Sequence, residues 1–151
     1  MIIVDASVVV KWFIDEEDHL EALELTKMPK KLKAPDIVLP EVAHVLRRKV
    51  RMNIISNSQA ADALTTLKST FKNATPSIAL IDVAFELSRL MDHSVYDTMY
   101  LACALGDKDD VLVTADKKFA AKAIAAGFDD KIRILGAASA ETSLRQENGH
   151  G

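Results

Sequence analysis

Two short apolar runs, each leading to an acid, constrain this chain most. Ile2-Ile3-Val4 runs straight into Asp5, and Val111-Leu112-Val113 reaches Asp116 after two intervening residues. A continuous apolar run this short, without polar alternation, suits a strand buried on both faces. That is the environment of a parallel sheet covered by helices. Ligands of such sheets sit beyond the carboxyl ends of the strands, where both acids fall.

The segments between the runs read as helices. Ser7 is placed to cap a helix from Val8 to about Phe13. The acidic stretch from Asp15 to Asp18 opens a second, with Leu20, Leu23 and Met28 inward and Pro29 as its stop. Pro40 sits where a third begins, with Glu41 in its first turn and Val42, Val45, Leu46 and Val50 at helical spacing. Ser56 caps a fourth, carrying Ala60, Ala63, Leu64, Leu67 and Phe71. Thr75 to Leu80 is ambiguous, part strand and part helix entry. Ile81 to Met91 is helical, with Val83, Ala84, Leu87 and Leu90 or Met91 inward. Ser94 and Asp97 have capping-box spacing before a helix that Gly106 ends. Lys117 to Ala126 is helical and stopped by Gly127, and Ile132 to Leu135 is a last strand. Strands alternating with helices predict an α/β fold with a mainly parallel sheet. The expected domain is 1–136, with 137–151 a frayed tail.

Composition narrows the class. With 151 residues, 49% hydrophobic and 27% charged, the chain fits one domain with its own core. A lone cysteine, Cys103, excludes an internal disulfide. No apolar run approaches the ~20 residues of a membrane helix, and no basic leader precedes Ile2, so a cytoplasmic protein is expected. The formal net charge of −3 argues weakly against a nucleic-acid partner, unless bound cations offset some of the acids.

Asp5, Glu41, Asp97 and Asp116 each have an ordinary explanation. Asp5 can start a turn or cap a helix, and Asp116 can cap its own. Asp97 can complete the capping box, and Glu41 can complement a helix dipole. Taken together these explanations weaken. If Glu41 and Asp97 reach the edge where Asp5 and Asp116 lie, four carboxylates share a small volume and repel. A hard cation relieves that, and Mg²⁺ or Mn²⁺ prefers oxygen ligands. No His or Cys cluster competes for a softer metal. The chemistry then expected is a water acidified by the ion and aimed at a phosphodiester. Ser7 and Thr114 lie near the strand-end acids and suit a supporting role, with simple capping an equal alternative.

These residues resemble the PIN domain, in the form found in VapC-type toxins of toxin–antitoxin pairs. Val4-Asp5-Ala6-Ser7-Val8-Val9-Val10-Lys11-Trp12-Phe13 is similar to the family's first strand and helix, and Pro40-Glu41-Val42 to its second acidic position. Tyr96-Asp97-Thr98-Met99-Tyr100-Leu101-Ala102 is similar to the third, and Val113-Thr114-Ala115-Asp116-Lys117-Lys118-Phe119 to the fourth. The four occur in the family's order. Thr98 and Met99 stand where many relatives carry small apolar residues, a difference that bears on packing. The resemblance implies a three-layer fold with a five-stranded, mainly parallel sheet. It also implies a Mg²⁺- or Mn²⁺-dependent endoribonuclease, a dimer, and inhibition by a cognate antitoxin. Asp5, Glu41, Asp97 and Asp116 would be its catalytic and metal-site acids, with Ser7 and Thr114 supporting them.

Other residues carry weaker signals. Arg47, Arg48, Lys49 and Arg51 form a basic run that suits RNA phosphates, although a solvated helix end explains it slightly better. Lys117, beside Asp116, is a further phosphate candidate. Trp12, Phe13, Val9 and Leu20 suit a partner surface, although some of them read better as core. His44 and His93 are not expected to be catalytic, and Cys103 reads as a buried small hydrophobe. Two other functions compete. A phosphoacceptor domain fits poorly, because Ser7 occupies the position where a haloacid-dehalogenase pattern needs a second Asp. A non-catalytic module acting through a dimer or antitoxin surface is the alternative to the enzyme.

Overall fold

A computed structural model describes residues 1–27 and 32–136. Its centre is a parallel sheet in which β1 (Ile2–Val4) lies between β2 (Leu32–Lys33) and β3 (Val111–Thr114), with β4 (Ile132–Ile134) outside β3. Ile2, Ile3 and Val4 pair with Val111, Leu112 and Val113, so the two runs that open the sequence argument are direct neighbours. Ile3, Val4 and Leu112 are completely buried, as strands covered on both faces require.

Among the described residues the sheet has four strands, not the expected five. Beyond them there is one parallel bridge between Pro35 and Thr75. It is made by the Asp36 N–H donating to the Thr75 carbonyl and the Thr75 N–H donating to the Ala34 carbonyl. The pairing extends no further because both segments turn into helix at once, at Val38 and at Ser77. Asp36 anchors the second of these helices by accepting from the Ser77 N–H at 3.2 Å and from the Ser77 hydroxyl.

Seven helices cover the described sheet: α1 (Ala6–Phe13), α2 (His19–Leu25), α3 (Val38–Arg51), α4 (Asn57–Thr70), α5 (Ser77–Met91), α6 (Val95–Ala104) and α7 (Lys117–Ala125). Several starts differ from expectation. Asp5, not Ser7, caps α1, accepting from the Val8 N–H at 3.2 Å. Helix α3 begins at Val38, two residues before Pro40, because the first turn of a helix needs no N–H there. Ser56 does cap α4, with Gln59 completing the box. Gly127 stops α7 with φ of 95°, a backbone conformation only glycine adopts freely.

The inward faces also differ in part. On α5 the buried row is Leu80, Ala84, Leu87 and Met91, while Val83 and Leu90 face solvent. That helix is apolar nearly all round, so spacing alone left two candidate faces. Leu20 is 71% exposed, because α2 buries Ala22 and Leu25 instead. Leu64 is also exposed. Met28, Pro29 and the expected tail at 137–151 lie outside the described residues. Trp12 is core: its Nε1–H donates to the Ala22 carbonyl at 2.9 Å and its ring stacks on Phe71. No described helix is long and apolar enough to cross a membrane.

Candidate active site

Asp5 leaves β1 at its carboxyl end and is almost fully buried. Its carboxylate is held from three sides. The Ser7 hydroxyl donates to Oδ1 at 2.5 Å, the Val8 N–H donates to the same oxygen, and the Thr114 hydroxyl donates to Oδ2 at 2.5 Å. Thr114 and Ser7 also tie Asp116 into this lattice. The Asp116 N–H donates to Thr114 Oγ1 and the Ala115 N–H to Ser7 Oγ, both at 3.0 Å. Asp116 caps α7, with Oδ1 accepting from the Phe119 N–H at 3.0 Å. Adjacent pairing of β1 and β3 therefore brings the first and fourth acids together.

Helices α3 and α6 deliver the other two. Glu41, in the first turn of α3, accepts from the Tyr100 hydroxyl at 2.7 Å. Tyr100 lies one turn along α6 from Asp97, so both face the same way. Asp97 does not complete the expected capping box. Ser94 takes the Tyr96 N–H, and Asp97 Oδ2 meets His93 Nε2 at 2.6 Å. Ligand-capable atoms of His93, Asp97 and Asp116 all lie within 4.8 Å of one another.

Electrostatics ties Asp5, Glu41 and Asp97 into one cluster. Burial pushes the Asp5 carboxyl up to about 6, against its hydrogen bonds, and the Asp97 charge adds to the rise. Burial also raises Glu41, with the Tyr100 hydrogen bond opposing and Asp97 again adding. Burial and the Glu41 charge keep the Tyr100 phenol protonated far above its ordinary value. Among the described residues no Lys or Arg pairs with any of the four acids, and His93 is the one basic side chain in contact with them. A negative pocket built of hard oxygens, without an internal counter-charge, fits Mg²⁺ or Mn²⁺.

The comparisons agree with this geometry. A PIN domain model matches residues 2–125, nearly all of the described chain. The chain belongs to the PIN domain family. It is 36% identical over 105 residues to Ribonuclease VapC1 of Mycobacterium tuberculosis, in two strains, covering 68% of this chain and 73% of the relative. The crystal structure of PAE2754 from Pyrobaculum aerophilum has the same fold, with a TM-score of 0.65 at 19% identity over 95% of this chain and 89% of that one.

Two residues of this PIN domain escaped sequence reasoning. His93 was set aside as a helix-end residue, although it precedes Asp97 by four positions, the spacing of one helical turn. Tyr100 enters the sequence argument only within the segment around Asp97, with no role of its own, although it shares a face with Asp97. The basic candidates are placed loosely. Arg47, Arg48 and Lys117 are all exposed. Lys117 opens α7 directly after Asp116, and Arg48 lies two turns along α3 from Glu41, on the same side. An open groove of about 330 Å³ beside Asp116 is lined by Ser7, Val10, Lys11, Glu16 and Val45 and includes neither Lys117 nor Arg48 in its lining. Cys103 is buried, as expected, and His44 is exposed.

Proposed function

We propose that this PIN domain is a Mg²⁺- or Mn²⁺-dependent endoribonuclease, the toxin of a type II toxin–antitoxin pair acting in the cytoplasm. The observation that supports the proposal is that Asp97 acts electrostatically on both Asp5 and Glu41 and has a ligand-capable oxygen within 4.8 Å of one on Asp116, with no Lys or Arg paired to any of the four acids among the described residues. The name of the mycobacterial relative, a ribonuclease, supports it.

A divalent cation bound there supplies charge against the carboxylates and acidifies a water for in-line attack on a phosphodiester. The chain's own residues set the geometry. Ser7 and Thr114 fix both Asp5 oxygens, and the Tyr100 hydroxyl fixes one Glu41 oxygen, leaving the other free to ligate. Asp97 and Asp116 stand closer to solvent, where substrate and cation enter. Lys117 and Arg48, with Arg47 further round α3, hold RNA phosphates beside the pocket as exposed point charges. The partners in this reading are RNA, a cognate antitoxin and a second copy of the chain. Ile78, Ile81 and Phe85, an exposed row on α5, supply apolar area for a protein partner.

The test combines binding and cleavage. Titration calorimetry is expected to show Mn²⁺ binding that Asp5→Asn and Asp97→Asn abolish, and RNA cleavage is expected to disappear in the same variants while both stay folded. Cleavage that survives both substitutions overturns the site. A folded wild-type chain that binds no Mn²⁺ favours the non-catalytic interaction module instead.

A further inference from the structure

His93 is the group in the pocket that the four-acid scheme leaves without a task. Its ring is held by Phe119 and Asp97. It lies nearly parallel to Phe119, with centroids 4.9 Å apart and planes at 17°. The backbone is fixed as well: the His93 main-chain N–H donates to the Ser88 carbonyl at 3.1 Å, and the Ser88 hydroxyl donates to the His93 main-chain carbonyl. The side chain is only 11% exposed. Phe119, the ring it rests on, has its own N–H capped by Asp116. The imidazole and Asp116 are thus set relative to each other through one residue.

We propose that His93 Nε2 is a nitrogen ligand to the cation shared by Asp97 and Asp116, and that it biases the site toward Mn²⁺ over Mg²⁺. The inference rests on the metal-dependent reading above. The distances suit an ion. An octahedral cation with ligands at about 2.1 Å sets neighbouring donors about 3 Å apart and opposite donors about 4.2 Å apart. The three donor atoms here all lie within 4.8 Å of one another, close to that range, and the 2.6 Å pair of His93 and Asp97 opens by a few tenths of an ångström, with the ring proton on Nδ1 so that the Nε2 lone pair is offered to the ion. The donor chemistry sets the preference. Carboxylates alone suit Mg²⁺, whereas an imidazole nitrogen gains affinity along the first-row series, of which Mn²⁺ is the first member with oxygen-site habits. The stack on Phe119 fixes the ring in advance, so little freedom is lost when it ligates.

The full-length chain loaded with Mn²⁺ tests this by pulsed electron paramagnetic resonance. The expected spectrum carries nitrogen modulation from one imidazole, absent in His93→Gln. Calorimetry is expected to show Mn²⁺ affinity falling at least about 10-fold in that variant and Mg²⁺ affinity falling less, so the preference narrows. A Mn²⁺-loaded wild-type spectrum without nitrogen modulation overturns the ligand assignment and leaves the four-acid site standing. A His93→Gln chain that keeps the Mn²⁺-to-Mg²⁺ ratio overturns it as well. The wild-type spectrum decides the assignment even if the variant fails to fold. A wild-type chain that binds no Mn²⁺ fails the metal-dependent reading itself, and the assignment falls with it.

Discussion

The two ends of β3 treat buried acid in opposite ways. At the amino end, Asp110 is as buried as Asp5, and the chain surrounds it with positive charge. The Met1 amino group lies 2.7 Å from Oδ1 and Lys33 Nζ 3.8 Å from Oδ2. Lys131 adds its own charge from the backbone side, donating to the carbonyls of Asp110, Asp107, Lys108 and Ala104. At the carboxyl end, Asp5 has hydroxyls and one N–H for company, and its nearest charges are negative. Burial alone does not distinguish the two. The counter-charge does: where the protein supplies its own, the acid holds the fold together. Where it withholds one, burial goes uncompensated by charge and the acid's carboxyl is pushed up to about 6.

Substitutions at the two ends should separate activity from stability. The largest expected effect is on Asp97→Asn, which should lower RNA cleavage on the order of 10²–10³-fold. The thermal midpoint should stay within a few degrees, because relief of like-charge repulsion offsets the lost His93 contact. A collapse in stability without RNA cleavage ever having been present would erase the contrast.

Next in size is the pH dependence of stability in the presence of a chelator. Asp5 binds its proton more tightly when folded, at about 6 against 3.8. Between those values the folded chain holds more protons than the unfolded one, so this group's contribution weakens stability as pH rises through about 4 to 6. The loss amounts to about 3 kcal/mol by pH 7. Urea midpoints at pH 4 and pH 7 should show it, and Asp5→Asn should flatten the difference. A wild-type profile already flat in chelator would mean that Asp5 is neutralised from within after all.

Asp110→Asn should cost about 1–2 kcal/mol of stability and leave cleavage within about two-fold, since the freed Met1 and Lys33 cations are partly exposed and rehydrate. The smallest effect sharpens the comparison from the site side. Ser7→Ala removes the hydroxyl that bridges Asp5 and the Ala115 N–H, at about 1 kcal/mol, readable as a small shift in the urea midpoint.

Much of the site was legible because its positions are local. Asp5 and Asp116 follow strands that announce themselves as unbroken apolar runs, and Glu41 and Asp97 open helices with recognisable starts. What sequence could not supply was orientation. Asp97 has the spacing of a capping box, yet its carboxylate turns to His93, a choice made by tertiary packing on Phe119. A fifth strand is absent among the described residues for a local reason: on both sides of the Pro35–Thr75 bridge the chain enters a helix within three residues. On α5, apolar residues on nearly every face hid the inward row, which only its packing partners select.

The bond from Thr114 to Asp5 spans 109 residues of chain. Asp5 follows β1 and the hydroxyl that orients it ends β3, with β2 and six of the seven described helices between them in sequence. Contacts between segments so far apart form late. Folding of either stretch alone leaves Asp5 without the group that orients it, so the acid cluster is completed only when the sheet's central pair closes.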